Sequence, residues 1–409
     1  MKPKSLLGIF VLIVTTMLSI PVSAAVVPEE KWDTMNAYLI AGAKQNDFNA
    51  IIEDGPIDYA KFEWPIGLVY GDENFYVMDG TRLRVVSDGQ VSTLANIESF
   101  KDDFIAKGIK YPETFAQTIR VGNMVYKNGN VYIGALLSDA YYPKITDTKE
   151  DKVPKPFEGQ SYATIWKYNV ESQTFTNHFW MKSAYNSGYD GFAFHETETG
   201  LDGALYNYHG NIVYDLGYGK RLGRLYVDNL DNIYTIWSTT MYDDAAYKID
   251  KNGKVEKLSA TRSMNLLTDN DELYTGKFFH SDMVVPRGDG SYRYFNGGSG
   301  MIDFKPGELK GKLLYNSVFS RTVFDLSRPV IGPLGMICFL NDDGIRRLNF
   351  EGETVKTIWQ DILTVKGTNI PNQVGKVGAY TFDREGDIVF IDWTNRQLKE
   401  VRLDLNRLR

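Results

Sequence analysis

The chain has 409 residues, of which 43% are hydrophobic and 24% are charged, and this composition excludes an intrinsically disordered or collagen-like protein. The formal net charge of −7 argues against a nucleic-acid partner. Tyrosine and phenylalanine are abundant, with 26 and 22 copies, and such residues favour β-strands. The single cysteine cannot form an intramolecular disulfide, so burial and backbone pairing must hold the fold together.

The N-terminus has the features of a secretory signal peptide. Lys2 and Lys4 precede an apolar run at residues 6–20, and the small residues that end at Ala24 predict cleavage after this position. We therefore expect residues 1–24 to be removed, no membrane span in the mature chain, and a location that is secreted, periplasmic or on the cell surface. A membrane anchor is the alternative, but the apolar run is short for a span.

Residues 25–56 are predicted to form an N-terminal helical segment that packs on the main domain. The helix is expected between residues 28 and 46, where Pro28 and two glutamates mark its start. Its apolar face would consist of residues at helical spacing, namely Trp32, Met35, Leu39, Ile40 and Ala43.

Residues 57–409 are predicted to form one β-propeller domain. Short runs rich in Val, Ile, Tyr, Phe and Trp alternate with Asp-Gly and Asn-Gly turns, which is typical of antiparallel hairpins. A hairpin unit, made of an apolar strand, a polar turn and a second strand, recurs along the chain. The second strands of these units begin near residues 74, 130, 232, 272, 335 and 387. A second hairpin follows several of these units, and a degenerate group of strands is predicted within residues 191–216. The repeat predicts an all-β propeller of six or seven four-stranded blades.

The last repeat ends with three strands, so an N-terminal strand is expected to close the ring. Residues 57–62 alternate as an edge strand would and are the predicted fourth strand. Deletion through Phe62 is then expected to destabilise the protein sharply, and removal of residues 25–46 to cost less. A two-domain β-sandwich is the alternative, but no Pro-, Ser- or Gly-rich linker divides the chain.

Two blade-turn segments carry a resemblance to a known family. The segments Ile-Asp-Lys-Asn-Gly-Lys-Val at residues 249–255 and Phe-Asp-Arg-Glu-Gly-Asp-Ile-Val at residues 382–389 resemble the turns of bacterial secreted propellers of the NHL-like type. The resemblance implies a propeller fold and a tendency toward ligand or protein binding, with hydrolases and lyases as a minority. It carries no catalytic set over to this chain.

The histidines give one candidate for chemistry. His195, Glu196 and His209 form a local cluster that could ligate a metal ion or catalyse a reaction if these residues meet in the central channel. The sequence has no His pair at zinc-helix spacing and no Gly-x-Ser-x-Gly elbow. Hydrogen-bonded structural histidines are the simpler interpretation, so no catalytic residues are predicted.

Acidic turns are frequent, and Asp269 and Asp271 are candidates for part of a metal-ion shell. Aspartate is also a preferred residue of tight turns, and a complete twelve-residue calcium loop is absent from the sequence. No cofactor is therefore predicted, and calcium is the ion to test.

Aromatic residues in segments rich in turn-forming residues make up the predicted ligand-binding set. Rings beside amide and carboxylate groups suit sugars, which stack on the rings and hydrogen-bond to the polar groups. The set consists of Tyr185, Tyr189, Asp190, Tyr206 and Tyr208. The alternative is that these rings cap blade edges.

These observations lead to two functional hypotheses. The first is an exported, non-catalytic propeller that binds a polysaccharide, a peptide or an envelope protein through a loop face. The second is a metal-dependent hydrolase or lyase, using calcium or zinc, with its site in the central channel.

Overall fold

A computed structural model describes most of the repeat region. The described residues are 37–45, 51–100, 102, 119–138, 161–183, 192–197, 200–206, 212–215, 224–238, 244–258, 283–296, 300–308, 311–316, 330–332, 337–341, 344–348, 355–360 and 377–402. Their regular structure is almost entirely β, with a short 3-10 helix at Ile97–Phe100. The all-β expectation is confirmed.

The strands of the first half of the chain alternate with short turns. In chain order they are β1 (Ala37–Ala41), β2 (Gly55–Pro56), β3 (Pro65–Gly71), β4 (Asn74–Asp79), β5 (Arg82–Ser87), β6 (Gln90–Asn96), β7 (Ile119–Lys127), β8 (Asn130–Ser138), β9 (Ser161–Asn169), β10 (Thr174–Ser183), β11 (Phe192–Thr197), β12 (Gly200–Tyr206) and β13 (Ile212–Asp215).

The second half continues the same alternation. Its strands are β14 (Tyr226–Val227), β15 (Ile233–Ser238), β16 (Asp244–Ile249), β17 (Val255–Lys257), β18 (Met283–Pro286), β19 (Tyr292–Asn296), β20 (Gly300–Phe304), β21 (Lys312–Asn316), β22 (Val330–Ile331), β23 (Ile337–Asn341), β24 (Gly344–Leu348), β25 (Val355–Gln360), β26 (Val377–Phe382), β27 (Ile388–Asp392) and β28 (Gln397–Val401).

Within the described ranges these strands form seven antiparallel sheets, numbered here in chain order. Sheet 1 has the order β2-β6-β5-β4-β3, sheet 2 the order β10-β9-β8-β7, and sheet 3 the order β11-β12-β13. Sheets 4, 5 and 6 are β14-β15-β16-β17, β18-β19-β20-β21 and β22-β23-β24-β25. Sheet 7 has the order β1-β28-β27-β26 and so combines the two ends of the described chain.

The tightest hairpins follow from their turn residues. In Asp88-Gly89 the φ angles are 50° and 72°, and in Asn128-Gly129 they are 48° and 70°. Both central residues of a type I′ turn need positive φ, which Gly adopts freely and Asp or Asn tolerates. These dipeptides therefore fix the pairing of β5 with β6 and of β7 with β8.

The hydrophobic core lies in the seams between sheets. Sheets meet through their first strands, because β26 packs on β3, β3 on β7, β7 on β14, and β14 on β18. Trp166 and Met78 meet in the seam between sheets 1 and 2, and Phe62 and Ile391 in the seam between sheets 7 and 1. Side-by-side sheets with first strands at the centre are the arrangement of blades in a propeller.

Contacts place the sheets in a definite order. The Tyr380 hydroxyl of sheet 7 donates to the Cys338 carbonyl of sheet 6 at 2.8 Å. Asn123 of sheet 2 exchanges two hydrogen bonds with the backbone of Leu225, just before β14, at 3.0 and 2.8 Å. Among the described residues the contacts therefore run through sheets 6, 7, 1, 2, 4 and 5 in turn. Sheet 3 separates sheets 2 and 4 in sequence but does not keep them apart in space.

The predicted helix at residues 28–46 is wrong where the structure describes it, because Ala37–Ala41 is strand β1. This strand pairs antiparallel with β28, with Ala37 opposite Val401 and Tyr38 opposite Glu400. The open edge of β28 offers backbone partners that a surface helix cannot use. Tertiary pairing therefore overrides the helical spacing of the apolar residues.

Residues 57–62 are not the closing strand that the sequence analysis predicted. Gly55–Pro56 pairs instead with the outer strand β6 of sheet 1, and residues 57–59 form a turn. Ala60 and Phe62 are fully buried in the seam between sheets 7 and 1. The alternation that indicated an edge strand reflects this burial.

Two repeats differ from the predicted positions. Sheet 5, at residues 283–316, was not predicted as a strand group. The hairpin expected at residues 264–276 lies outside the described residues. The degenerate group within residues 191–216 does contain strands, which form the three-stranded sheet 3.

Candidate functional site

The two ends of the sheets differ in the length of their connections. Connections after first and third strands are short, as at residues 72–73, 88–89, 128–129 and 170–173. Connections after second strands and between sheets include the long segments 101–118, 139–160, 184–191, 259–282 and 361–376. Since consecutive strands are antiparallel, these long segments leave and re-enter the sheets at one end, here called the long-segment face.

The opposite end, the short-turn face, is held by contacts between neighbouring turns. The hydroxyl of Tyr126 donates to Asp72 across sheets 2 and 1. The Asn128 amide donates to Asp231 across sheets 2 and 4 at 3.0 Å. These contacts show that the short turns of neighbouring sheets share one face.

Most of the residues singled out from the sequence lie outside the part of the chain that the structure describes. Tyr185, Tyr189, Asp190, Tyr208, His209, Asp269 and Asp271 lie outside the described residues. His195 and Glu196 lie on β11, and Tyr206 ends β12. His195 is opposite Asp202 in the register, so it lies several positions along the sheet from Tyr206. The proposed roles of these residues stay predictions.

Two tryptophans that the sequence analysis did not select lie together on the long-segment face. The ring centroids of Trp64 and Trp393 are 6.0 Å apart with an interplanar angle of 41°. The residues are 40% and 37% exposed. Trp64 directly precedes β3, and Trp393 lies over Gly378 of β26, where a Cβ atom would collide with its indole. Both rings therefore lie beside the first strands, close to the centre of the sheet arrangement.

Hydrogen bonds and a cation–π contact connect this pair to the residues around it. The indole nitrogen of Trp393 donates to the Pro65 carbonyl at 2.9 Å. The Arg396 guanidinium lies 6.0 Å from the Trp64 ring centroid and donates to the Glu63 carbonyl. These contacts join sheet 7 to the segment that enters sheet 1.

A buried network of charged side chains holds the backbone of Trp64. Asp79 accepts hydrogen bonds from the backbone nitrogens of Trp64, at 2.6 Å, and Glu63, at 3.3 Å. The fully buried Arg84 donates to Asp79 at 3.0 Å and to Asp54 at 2.7 Å. Burial raises the pKa of the Asp79 carboxyl, although these donors oppose the rise. The network ties the Trp64 backbone to the body of sheet 1.

The short-turn face carries a repeated aspartate turn. In three turns, two in sheet 4 and one in sheet 7, an aspartate Oδ1 accepts the backbone N–H four residues later: Asp228 from Asn232 at 2.9 Å, Asp250 from Lys254 at 2.9 Å, and Asp383 from Asp387 at 2.8 Å. Such side-chain bonds stabilise tight turns. The aspartates in these segments thus have a structural role.

Two aspartates of one of these turns form a cluster of three half-buried carboxylates with a glutamate of β28. Asp383, Asp387 and Glu400 present oxygens within 4.8 Å of one another. Burial raises the pKa of Asp383 to about 6, and repulsion from Asp387 adds to the rise. Carboxylate oxygens are the ligands that calcium prefers, so the cluster is compatible with calcium. Arg402 also donates to Glu400 at 2.9 Å.

We expect Asp383→Asn to stabilise the protein above pH 6. The raised pKa means that the folded state holds its proton more tightly than the unfolded state, so wild-type stability falls as pH rises from about 4 to about 6. The variant lacks this loss and keeps the turn acceptor. A gain of about 1 kcal/mol at pH 7.5 is expected after solvent screening is allowed for, as measured by urea unfolding at several pH values.

The matched control is Asp250→Asn in the equivalent turn. Hydrogen bonds from the backbone nitrogens of Lys254 and Asn252 lower the pKa of Asp250. This substitution should therefore leave the protein less stable at pH 7.5. Stabilisation by both variants, or by neither, would contradict the claim that the half-buried charge of Asp383 destabilises the folded protein at this pH.

His178 occupies the seam between sheets 2 and 4. It is the extra residue of a β-bulge, since the register of β9 and β10 shifts between Asn177 and Phe179. Its ring lies edge-on to Tyr132 at 6.2 Å, and burial lowers its pKa. His178 is thus buried in an inter-sheet seam, and its Nε2 has no hydrogen-bond partner among the described residues.

Comparison with known proteins finds similarity at the level of the fold. No family model and no curated protein matches the sequence. A solved protein of unknown function from Bacteroides thetaiotaomicron VPI-5482 is 13% identical, with a TM-score of 0.49 over 90% of this chain and 76% of that chain. A gluconolactonase from Xanthomonas campestris is 9% identical, with a TM-score of 0.39 over 83% and 86%. The WD40 β-propeller domain of Doa1 is 11% identical, with a TM-score of 0.38 over 91% and 99%.

The propeller resemblance expected from the blade turns is confirmed by the arrangement of the sheets in this chain, which pack side by side through their first strands. Similarity at these identities assigns no activity. In the part of the chain that the structure describes, no helix is long and apolar enough to cross a membrane.

Proposed function

We propose that this chain is an exported, six-bladed β-propeller that binds its ligand at the long-segment face. The ligand class is a polysaccharide, a peptide or an envelope protein, and the location is the periplasm, the cell surface or the medium. The direct packing of sheet 2 on sheet 4 supports six blades with sheet 3 as an insertion. The pairing of β1 with β28 supports closure of the ring by the N-terminal strand.

The observation that carries this proposal is the asymmetry between the two faces. The short-turn face consists of hairpins whose aspartates bond to their own backbone. The strands that border the long segments end at the other face, and connections between elements are where rigid scaffolds place their binding residues. The predicted set around Tyr189 and Tyr206 is proposed to contribute to this binding surface.

The test uses protein that starts at Ala25, applied to glycan arrays and to pull-downs from envelope extracts. A reproducible ligand whose binding is weakened by Tyr189→Ala or Tyr208→Ala, with an unchanged melting temperature, is the expected result. Blank arrays together with blank pull-downs would overturn the proposal.

Metal analysis of the same protein separates the two functional hypotheses. The binding proposal predicts that chelation leaves ligand binding unchanged. Stoichiometric calcium or zinc together with hydrolase or lyase activity that chelation abolishes would instead favour the enzyme, with His195, Glu196 and His209 as its candidate site.

A further inference from the structure

The exposed Trp64–Trp393 pair combines three properties that a binding surface needs. The rings are accessible, they lie beside the first strands at the long-segment face, and a hydrogen bond holds the indole of Trp393. Trp393 is fixed by its bond to the Pro65 carbonyl. The Trp64 backbone is held by its bond to Asp79, and the Arg396 guanidinium lies 6.0 Å from its ring centroid. A ligand that binds here therefore loses little entropy for ordering the Trp393 ring.

We propose that the Trp64–Trp393 pair is a sugar-binding subsite that stacks a pyranose ring. This inference rests on the proposed function and names polysaccharide as its ligand class. A pyranose with equatorial hydroxyls has an apolar face of axial C–H groups, which packs on an indole ring while the hydroxyls hydrogen-bond at the edge. The angle of 41° between the two rings gives a shallow cradle for one such unit.

The exposed area decides between a sugar and a protein partner. At 40% and 37% exposure, the two residues offer roughly 200 Å² together, since a whole aromatic side chain presents about 150–250 Å². A stable protein interface needs about 800 Å² on each partner. The area is of the size that one monosaccharide covers.

The polar surroundings complete the subsite. Glu63 is exposed next to Trp64, and its carboxylate can accept hydrogen bonds from sugar hydroxyls. Arg396 is buried, lies against the Trp64 ring and donates to the Glu63 carbonyl. An apolar platform with an acceptor at its rim fits a neutral sugar better than an acidic one.

The test measures binding of cellohexaose and chitohexaose, two β-1,4-linked probes with equatorial hydroxyls, by calorimetry and by quenching of tryptophan fluorescence. Trp64→Ala should weaken binding about tenfold or more, and Trp64→Phe should retain part of it. Trp393→Phe covers the case in which Trp393→Ala fails to fold. Tyr59→Ala is the matched control, because Tyr59 is an aromatic residue with 74% exposure outside the pair, and it should bind as the wild type does.

The outcomes separate this inference from the proposed function. Binding that is weakened by Trp64→Ala and Trp393→Phe at unchanged melting temperature supports the subsite. Wild-type binding that both variants retain would overturn the subsite but leave the long-segment face as the binding face. If neither probe binds while a protein or peptide is captured at that face, the subsite is wrong and the proposed function stands.

Discussion

Deleting residues 25–41 is expected to destabilise the protein sharply, whereas deleting residues 25–36 is expected to leave its melting temperature nearly unchanged. The two deletions differ only by strand β1, which pairs with β28 from Ala37 to Ala41. Each backbone hydrogen bond lost contributes about 0.5 to 1.5 kcal/mol, and the buried side chains of Ala37 and Ala41 add to the loss. A fall of roughly 5 °C or more is expected.

The longer deletion should also aggregate, because it exposes the edge of β28. Thermal unfolding followed by circular dichroism, together with light scattering, measures both effects. Equal melting temperatures for the two deletions would show that β1 does not contribute to the fold. This expectation reverses the one drawn from the sequence, in which removal of residues 25–46 was the milder truncation.

Arg84→Met is expected to cost about 3 to 5 kcal/mol, which is typical when one partner of a buried ion pair is removed. Arg84 is fully buried, and its side chain bonds to Asp79, Asp54 and the carbonyls of Lys61 and Glu53. The variant would leave the Asp79 carboxylate buried without its counter-ion. Urea unfolding measures the loss.

The double variant Arg84→Met with Asp79→Asn is the control for this prediction. It removes the uncompensated charge while an amide oxygen can still accept from the Trp64 backbone, so it should be more stable than Arg84→Met alone. If the double variant loses more than the single one, Asp79 does not carry the cost. The network also supports Trp64, so Arg84→Met should weaken cellohexaose binding if the Trp64–Trp393 pair is a subsite.

The sequence predicted most strands well where turn chemistry is local. Asp88-Gly89 and Asn128-Gly129 specify their hairpins through positive φ at both central residues. Strand β1 could not be predicted in the same way. The apolar residues around Leu39 recur at helical spacing, and what makes the segment a strand is the unpaired edge of β28, more than 350 residues away in the chain.

Sheet 5 shows a different limit of the sequence analysis. Its first strand, Met283–Pro286, has four residues and ends in a proline, which weakens the strand pattern. In the second strand, Tyr292–Asn296, the neighbouring residues Tyr294 and Phe295 are both buried. This pattern becomes recognisable as a strand only when the strand is paired on both sides. The turn from Arg287 to Ser291 has the same backbone hydrogen bond as the repeated Asp turns, but Arg287 stands at the aspartate position and Asp289 accepts from Ser291 instead, so the side-chain pattern does not mark the repeat.

The chemistry proposed for the candidate site is the one expected from the sequence, but its residues are different. Aromatic residues beside polar groups were expected to bind sugars, and the Trp64–Trp393 pair has that chemistry. Its two members are far apart in sequence and meet because β26 and β3 are neighbours. The pattern Glu-Trp-Pro before a strand was the available local sign of Trp64.

Closure of the ring by β1 is tested most directly by an engineered disulfide between positions 38 and 400. Tyr38 and Glu400 are opposite each other in the register, and directly paired residues lie about 4.5 to 5.5 Å apart at their Cα atoms, within disulfide reach. In a Cys338→Ala background, Tyr38→Cys with Glu400→Cys should form the bond on mild oxidation, as seen by mass spectrometry of linked peptides. Free thiols in that folded variant, with bond formation by Asp58→Cys and Glu400→Cys instead, would contradict it.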